Sequence, residues 1–338
     1  MSERFIESSL KNEDDTFEVP LRPRSLDEFV GQDAVRDRLS VFLGAAKGRG
    51  EALGHCLFSG PPGLGKTTLA NILANSMGTN LVVTSGPVIE KAGDLAGVLT
   101  TLQEGDILFI DEIHRMNRVV EEYLYPAMED FSLDLVIDSG PSARSVQVKL
   151  NKFCLVGATT KMGMLTAPLR SRFTFSCRLD YYDPSELQQI ILRSSRILNI
   201  DIDSDSAGEI AKRARGTPRI ANNLLRWVRD YAQMRADNKI DCDVVDKALS
   251  MLAIDHVGLD EMDKRLLSVM IDHHDGGPVG LNTLAVAIGE EPTTVEEVYE
   301  PYLIMQGLIK RTPRGRQVTP QAYRHLGKDV PQEQGFLF

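Results

Sequence analysis

The sequence predicts three folded parts in series. They are an α/β P-loop domain (a parallel sheet with flanking helices), a small all-α domain and a C-terminal winged-helix domain. Three observations predict this. Between residues 21 and 182, short apolar runs alternate with segments of helical period. From 183 to 254 the apolar patterns are helical throughout. From 255 to 338, three helical patterns precede two short strands around "RTPRGRQ".

In the first part, "HCLFSG", "NLVVTSG", "DILFID" and "FCLVGATT" are bounded by turn residues and have strand length. Between them, "KTTLANILANSM" places Leu69, Ile72, Leu73 and Met77 on one helix face. Residues 131–150, "FSLDLVIDSGPSARSVQVKL", read as a hairpin turning at "DSGPSA". Leu133, Leu135 and Ile137 alternate on one strand; Val146, Val148 and Leu150 alternate on the other. That apolar face either packs on its own domain or docks a partner.

The pattern changes at "YYDPSEL". Asp183 can cap a helix, Pro184 suits its first position and Glu186 its third. Leu187, Ile190, Ile191, Ile197 and Leu198 then form one apolar face, and Val244, Val245, Ala248, Leu249 and Leu252 another. The last part reads as "EMDKRLLSVMI", a "GGPVG" turn, "LNTLAVAIG" and "TTVEEVYEPYLIM", then the two strands. Residues 1–20 are polar and are expected to form a flexible segment.

The chain has 338 residues, 42% hydrophobic and 25% charged, with a formal charge of −10. This is the composition of a globular protein. Four dispersed cysteines without a CxxC suggest free thiols in a reducing compartment, hence a cytoplasmic location. The first twenty residues lack the apolar stretch of a secretory signal, and no run approaches the ~20 residues of a membrane span. His273 and His274, in "DHHDGG", read as a solvated turn.

"SGPPGLGKTTLANILAN" carries Gly60, four intervening residues, then Gly65-Lys66-Thr67. It follows an expected strand and opens an expected helix, the context a P-loop requires. Backbone N–H groups around Gly63, Gly65 and Thr68 can wrap the phosphates of ATP. Lys66 can reach the β/γ oxygens, and Thr67 offers a hydroxyl to Mg²⁺. In "ILFIDEIHR" an apolar strand ends in Asp111-Glu112. Asp111 can support Mg²⁺, and Glu112 can orient or deprotonate the attacking water, which points to hydrolysis.

With these motifs in place, the chain resembles the RuvB family of AAA+ ATPases across residues 20–325. Further matches are "SGPVIEKAGDLAGVLT", "VVEEYLYPAMED", "GATTKMGMLTAPLRSRF", "RARGTPRIANNLLR" and "EPYLIMQGLIKRTPRGR". The resemblance implies an ATP-driven motor that migrates Holliday junctions in recombination and repair. It also implies a homohexamer on DNA arms, working with RuvA and the RuvC resolvase complex. Arg172, with Arg170 as the alternative, is then the finger that reaches a neighbouring subunit's nucleotide. Arg219 in "GTPR" is the second nucleotide sensor. Thr160 stands where many relatives carry Asn, and its hydroxyl can still hydrogen-bond. Leu21, Arg22, Glu129, Asp130, Phe131 and Tyr182 are implied nucleotide neighbours. The hairpin, through Leu133, Leu135 and Ile137, is the implied docking site for RuvA.

The turn "KRTPRGRQVT" is basic although residues 256–338 are acidic overall. A small positive tip on an acidic body restricts where a duplex can touch. Arg311, Arg314 and Arg316 are therefore expected to contact phosphates without reading bases. The alternative to a motor is an ATP-switched, initiator-type DNA-binding protein. A protein-unfolding machine is disfavoured because no aromatic pore loop follows "SGPVIEKAG".

Overall fold

A computed structural model describes residues 20–136 and 145–330. The chain forms two compact units. The larger holds the described residues up to Ile190 together with Thr217–Arg219; the other holds Ile191–Gly216 and the described residues from Ile220 onward.

In the larger unit, α1 (Asp33–Arg49) precedes β1 (Cys56–Ser59), α2 (Lys66–Met77), β2 (Leu81–Ser85), α3 (Ala92–Thr101) and β3 (Ile107–Asp111). There follow α4 (Arg118–Glu129), β4 (Ser132–Val136), β5 (Ser145–Lys149), β6 (Cys154–Thr159), α5 (Ala167–Ser171) and β7 (Phe175–Arg178). Five strands make a parallel sheet in the order β2-β3-β6-β1-β7. β1 and β6 are buried along their whole length and β3 along all but its last residue. This is why they read as continuous apolar runs rather than alternating ones. The edge strand β7 had no such signal, because its exposed Ser176 and Arg178 interrupt the apolar run.

One face of the sheet buries Leu57, Leu108, Ile110 and Leu155 against Leu95 and Leu99 of α3 and Val120 and Leu124 of α4. β4 and β5 pair antiparallel, with Leu133 opposite Val148 and Leu135 opposite Val146. Here one expectation is corrected. Leu133 has no exposed surface and belongs to this core, so it cannot dock a partner. The hairpin springs directly from the end of α4, and its first turn of strand is covered by its own domain. Val146, further along the same face, is 44% exposed. Ile137 lies outside the described residues.

α6 (Pro184–Ile197) leads into the second unit, which holds α7 (Ser204–Arg213), most of α8 (Pro218–Arg235) and α9 (Cys242–Met251). Ile210, Leu224, Leu225, Val245 and Leu249 are buried, and Trp227 Nε1 donates to the Ala248 carbonyl at 2.7 Å. Next come α10 (Glu261–His274) and α11 (Leu281–Ile288), then a helical run through Pro292–Thr294, a π-type stretch Val295–Tyr299 and α12 (Glu300–Met305). β8 (Ile309–Thr312), β9 (Gly315–Val318) and α13 (Pro320–His325) complete the unit. Its core includes Leu266, Met270, Leu284, Tyr299, Leu303 and Ile309.

A buried charge cluster ties the helical part of this unit to its winged-helix part. Arg215 is buried, with φ +54°. Its Nε donates to the Gly258 carbonyl at 2.8 Å, its Nη2 pairs with Asp263, and its guanidinium lies 4.8 Å from the centre of the Tyr302 ring. Asp263 also closes the capping box that starts α10 with Asp260. Burial pushes the Asp263 carboxyl up, opposed by the Arg215 guanidinium. Burial disfavours charge on Arg215, but Asp263 and Asp260 outweigh it and hold the guanidinium protonated. Arg215→Met is therefore expected to cost about 3–5 kcal/mol, because it strands a buried carboxylate. Arg215→Met with Asp263→Asn should recover much of that loss, since the amide can keep the bond to the Asp260 N–H. Urea unfolding followed by the fluorescence of Trp227, the one tryptophan of the chain, measures both.

Candidate nucleotide site and basic wing

The phosphate loop joins β1 to α2, and three glycines give it its shape. Gly60 has φ +136°, and a Cβ there would meet the Leu179 carbonyl at 2.3 Å. Gly63 has φ +77° and would meet Thr217 Cγ2 at 2.7 Å. Gly65 has φ +101° and would meet the Phe29 ring at 3.1 Å. The conformation is open only to glycine, and no room exists for more. Lys66, buried at the first position of α2, donates to the carbonyls of Gly60 (2.8 Å) and Pro61 (2.7 Å). Burial pulls its ammonium down to about 8, opposed by Asp111 and Glu112 and assisted by Arg219. A phosphate within reach would favour the protonated form again.

β3 delivers Asp111 and Glu112 beside that lysine. Asp111 Oδ1 accepts from the Glu112 N–H at 2.9 Å. Glu112 itself is left-handed, with φ +46°, a strained conformation for a non-glycine residue. Its Oε2 accepts from Thr160 Oγ1 at 3.2 Å and lies 3.3 Å from His114 Nε2. The other nitrogen of His114 shares a hydrogen bond with Thr159 Oγ1 at 2.9 Å. Burial and then Asp111 push the Glu112 carboxyl up, against the Thr160 hydrogen bond and the charges of Lys66 and Arg115. A more basic carboxylate, fixed from two sides, can accept a proton from water. Nothing in the sequence reading pointed to His114, because its role depends on the neighbouring strand β6.

Arg219, like Pro218 before it, belongs with this unit although α8 from Ile220 onward does not. Its Cβ lies 3.2 Å from where a Gly63 side chain would begin. Tyr182 is buried and donates to the Leu64 carbonyl at 3.2 Å. Burial pushes its phenol well up, and Glu186 adds to this. Leu21 is buried, Arg22 partly exposed, and Thr67 and Thr68 lie in the first turn of α2. Phe29 and Thr217 also enclose the loop; the sequence reading did not single them out. Thr67 and Asp111 offer hard oxygen donors that suit Mg²⁺. Among the described residues no cluster of three or more His, Cys, Asp or Glu could hold a metal. A cation here would thus depend on phosphate and water oxygens as well.

Arg172 lies elsewhere on this unit. Its Nη2 pairs with Glu129 at 3.0 Å, its Nη1 donates to the Pro168 carbonyl at 2.7 Å, and its guanidinium stacks 4.3 Å from the centre of the Tyr125 ring. Its buried Nε has no hydrogen-bond partner. None of these contacts is to the phosphate loop. Arg170 is exposed and makes no ion pair among the described residues. Asp130 is exposed at the end of α4. The Phe131 ring, partly buried, meets Phe153 edge-on at 5.9 Å against the core of its own domain.

In the other unit, β8 and β9 form the expected hairpin, with Arg311 directly opposite Arg316. Arg314 is exposed in the turn. Arg311 and Arg316 both chelate Glu300, whose side chain is 1% exposed. Two like charges face each other across the hairpin, and such a pair is unfavourable without a carboxylate between them.

The geometry at Glu112 sets a test. A hydrogen bond to a charged group contributes about 1.5–3 kcal/mol. Thr160→Val should lower ATP turnover about tenfold or more while leaving nucleotide affinity nearly unchanged. Steady-state kinetics with a fluorescent-nucleotide titration separates the two; a loss confined to affinity would contradict the arrangement.

Residues 21–179 match the model of the Holliday junction DNA helicase RuvB P-loop domain. Residues 182–255 match the RuvB AAA lid domain and 256–327 the RuvB C-terminal winged helix domain. The chain is 70% identical over 326 residues to the Holliday junction branch migration complex subunit RuvB of Protochlamydia amoebophila, covering 96% of this chain and 98% of the relative. It is 60% identical over 315 residues to the same subunit of Chlamydia pneumoniae, covering 93% and 94%. The Thermotoga maritima RuvB Holliday junction branch migration motor superposes with a TM-score of 0.84 at 51% identity, over 92% of this chain and 100% of that one. A more distant likeness, to the Aeropyrum pernix ORC2 protein (TM-score 0.54, 16% identity, 86% and 91% covered), is one of fold alone. With all three of its parts matched in order, and at such identities, the chain belongs to the RuvB family of AAA+ ATPases.

Proposed function

We propose that this chain is the ATP-hydrolysing motor of Holliday junction branch migration, acting in recombination and repair. The observation that carries the reading is the coexistence, in one chain of this family, of a poised hydrolytic carboxylate and an arginine-bearing wing. Glu112, held by Thr160 and His114, takes the proton of the attacking water. Lys66 neutralises charge on the β/γ phosphates, and Arg219 approaches from the side of Gly63. Thr67 and Asp111 hold Mg²⁺, which supplies Lewis-acid neutralisation of the phosphates. Tyr182, Leu21 and Arg22 complete the nucleotide's surroundings.

Arg172 serves a neighbouring subunit. Its contacts with Glu129 and Tyr125 hold it away from its own phosphate loop, as a finger acting in trans requires. Glu129 and Asp130 lie at the end of α4 on that same edge, and Arg170 remains the alternative finger. Such a composite site implies a ring, here a homohexamer. The partners are junction DNA, RuvA and the RuvC resolvase complex, and the location is the cytoplasm. No helix of the described residues is long and apolar enough to cross a membrane. RuvA docks on the outer hairpin, where Leu135 and the exposed Val146 are opposite one another.

Branch migration of a synthetic four-way junction tests the whole reading. With RuvA and ATP the chain should move strands continuously. Glu112→Gln should bind ATP and stall. ATP consumption by an initiator-type switch would be slow and would move nothing, and that result would remove the motor reading.

The finger has its own test. Arg172→Ala alone should lose hydrolysis by ~10³-fold or more. Mixed with Lys66→Ala subunits it should regain measurable turnover, because some interfaces then pair an intact loop with an intact arginine. Mixtures that co-assemble yet never exceed either parent would exclude action in trans.

A further inference from the structure

We propose that Glu300 is a positioning residue for DNA binding: it holds the Arg311 and Arg316 guanidiniums in one fixed orientation, as a preformed clamp for a backbone phosphate. The inference rests on the reading that the wing contacts DNA.

The geometry is specific. Glu300 opens α12 directly after the π-type stretch Val295–Tyr299. Its Oε1 accepts from Arg311 Nε at 2.7 Å and Arg316 Nε at 3.0 Å; its Oε2 accepts from their Nη2 atoms at 2.8 and 3.1 Å. One carboxylate therefore binds the same edge of two forks. Among the described residues, the side-chain hydrogen bonds of both arginines use only Nε and Nη2. Each guanidinium carries five N–H donors, so the Nη1 pair of each remains for another acceptor. Glu296, four residues earlier and 45% exposed, adds looser contacts at 3.3 and 3.9 Å.

The backbone beneath is equally constrained. Arg316 exchanges both hydrogen bonds with Val279 at 2.8 Å while β9 also pairs with β8. Gly315, at φ +138°, lets the Val279 carbonyl approach to where a Cβ would sit 2.3 Å away. The Arg316 side chain is 16% exposed and the Arg311 side chain 49%, so the clamp has a fixed inner arm and a more open outer one. Burial alone would push the Glu300 carboxyl up, but the two guanidiniums hold it below the usual carboxylate range. It therefore stays charged at neutral pH. Ordering two long side chains before binding removes an entropic cost that free arginines would meet on contact.

The sign of the effect distinguishes this from simple charge neutralisation. If Glu300 only subtracted charge, its removal would tighten binding to DNA. A clamp predicts the opposite. Binding of the full chain to a fluorescent duplex is measured over a range of salt, with thermal unfolding of each variant. Glu300→Gln, which adds net positive charge, should weaken affinity about fivefold or more and flatten the salt slope by about one unit. Glu300→Asp keeps the charge and shortens the reach, and should also weaken binding. Glu296→Gln should tighten it slightly. Arg311→Lys with Arg316→Lys keeps the charge without the forks, and should weaken binding even if the Glu300 variants fold poorly. Tighter binding by Glu300→Gln, or unchanged binding by the double lysine variant, overturns the clamp. Arg316→Ala separates the two levels. If it binds as the wild type does, the wing reading itself fails; if it binds weakly while Glu300→Gln binds tightly, only the clamp fails.

Discussion

Lys66 needs a loop whose carbonyls converge on an ammonium. Only left-handed glycines can make that loop, and each one is pressed against a different part of the larger unit. Gly60 passes the Leu179 carbonyl, which requires β7 to lie beside β1. Gly63 passes Thr217, which brings Arg219 to the phosphates' side. Gly65 passes the Phe29 ring, which buries a residue just ahead of α1. Lys66 itself is buried, and charge interactions there gain strength from the lower dielectric.

Arginine placement follows a second rule. A guanidinium cannot be neutralised by losing its proton at physiological pH, so each one removed from water needs a carboxylate. Arg172 has Glu129, Arg215 has Asp263 and Asp260, and Arg311 and Arg316 share Glu300. The pairs differ in accessibility. Arg215 is sealed and acts as a structural tie, whereas Arg172 and Arg311 remain partly exposed beside their carboxylates.

The hairpin shows the limit of alternation as a guide. Leu133, Leu135 and Ile137 share one face by period, and period alone made them equivalent. Distance from the root of the hairpin makes them different, since Leu133 is covered by the domain it springs from while Val146 further out reaches solvent. Similarly, β7 carries little apolar signal because the exposed Ser176 and Arg178 interrupt its short run.

The glycine spacing, the Asp-Glu strand end, the helical periods and the basic turn are local patterns, and the sequence by itself determined the fold class and the chemistry they imply. Covalent geometry and short-range periodicity govern such features, so they survive without a partner. The sequence did not determine how Glu112 is aimed, what holds Arg172 or which charges meet at the wing. His114 and Thr160 reach Glu112 from opposite sides of a strand pairing, and Glu300 meets Arg316 across 16 residues of chain. Only the tertiary structure decided these, because burial and pairing of charge depend on which surfaces close over one another.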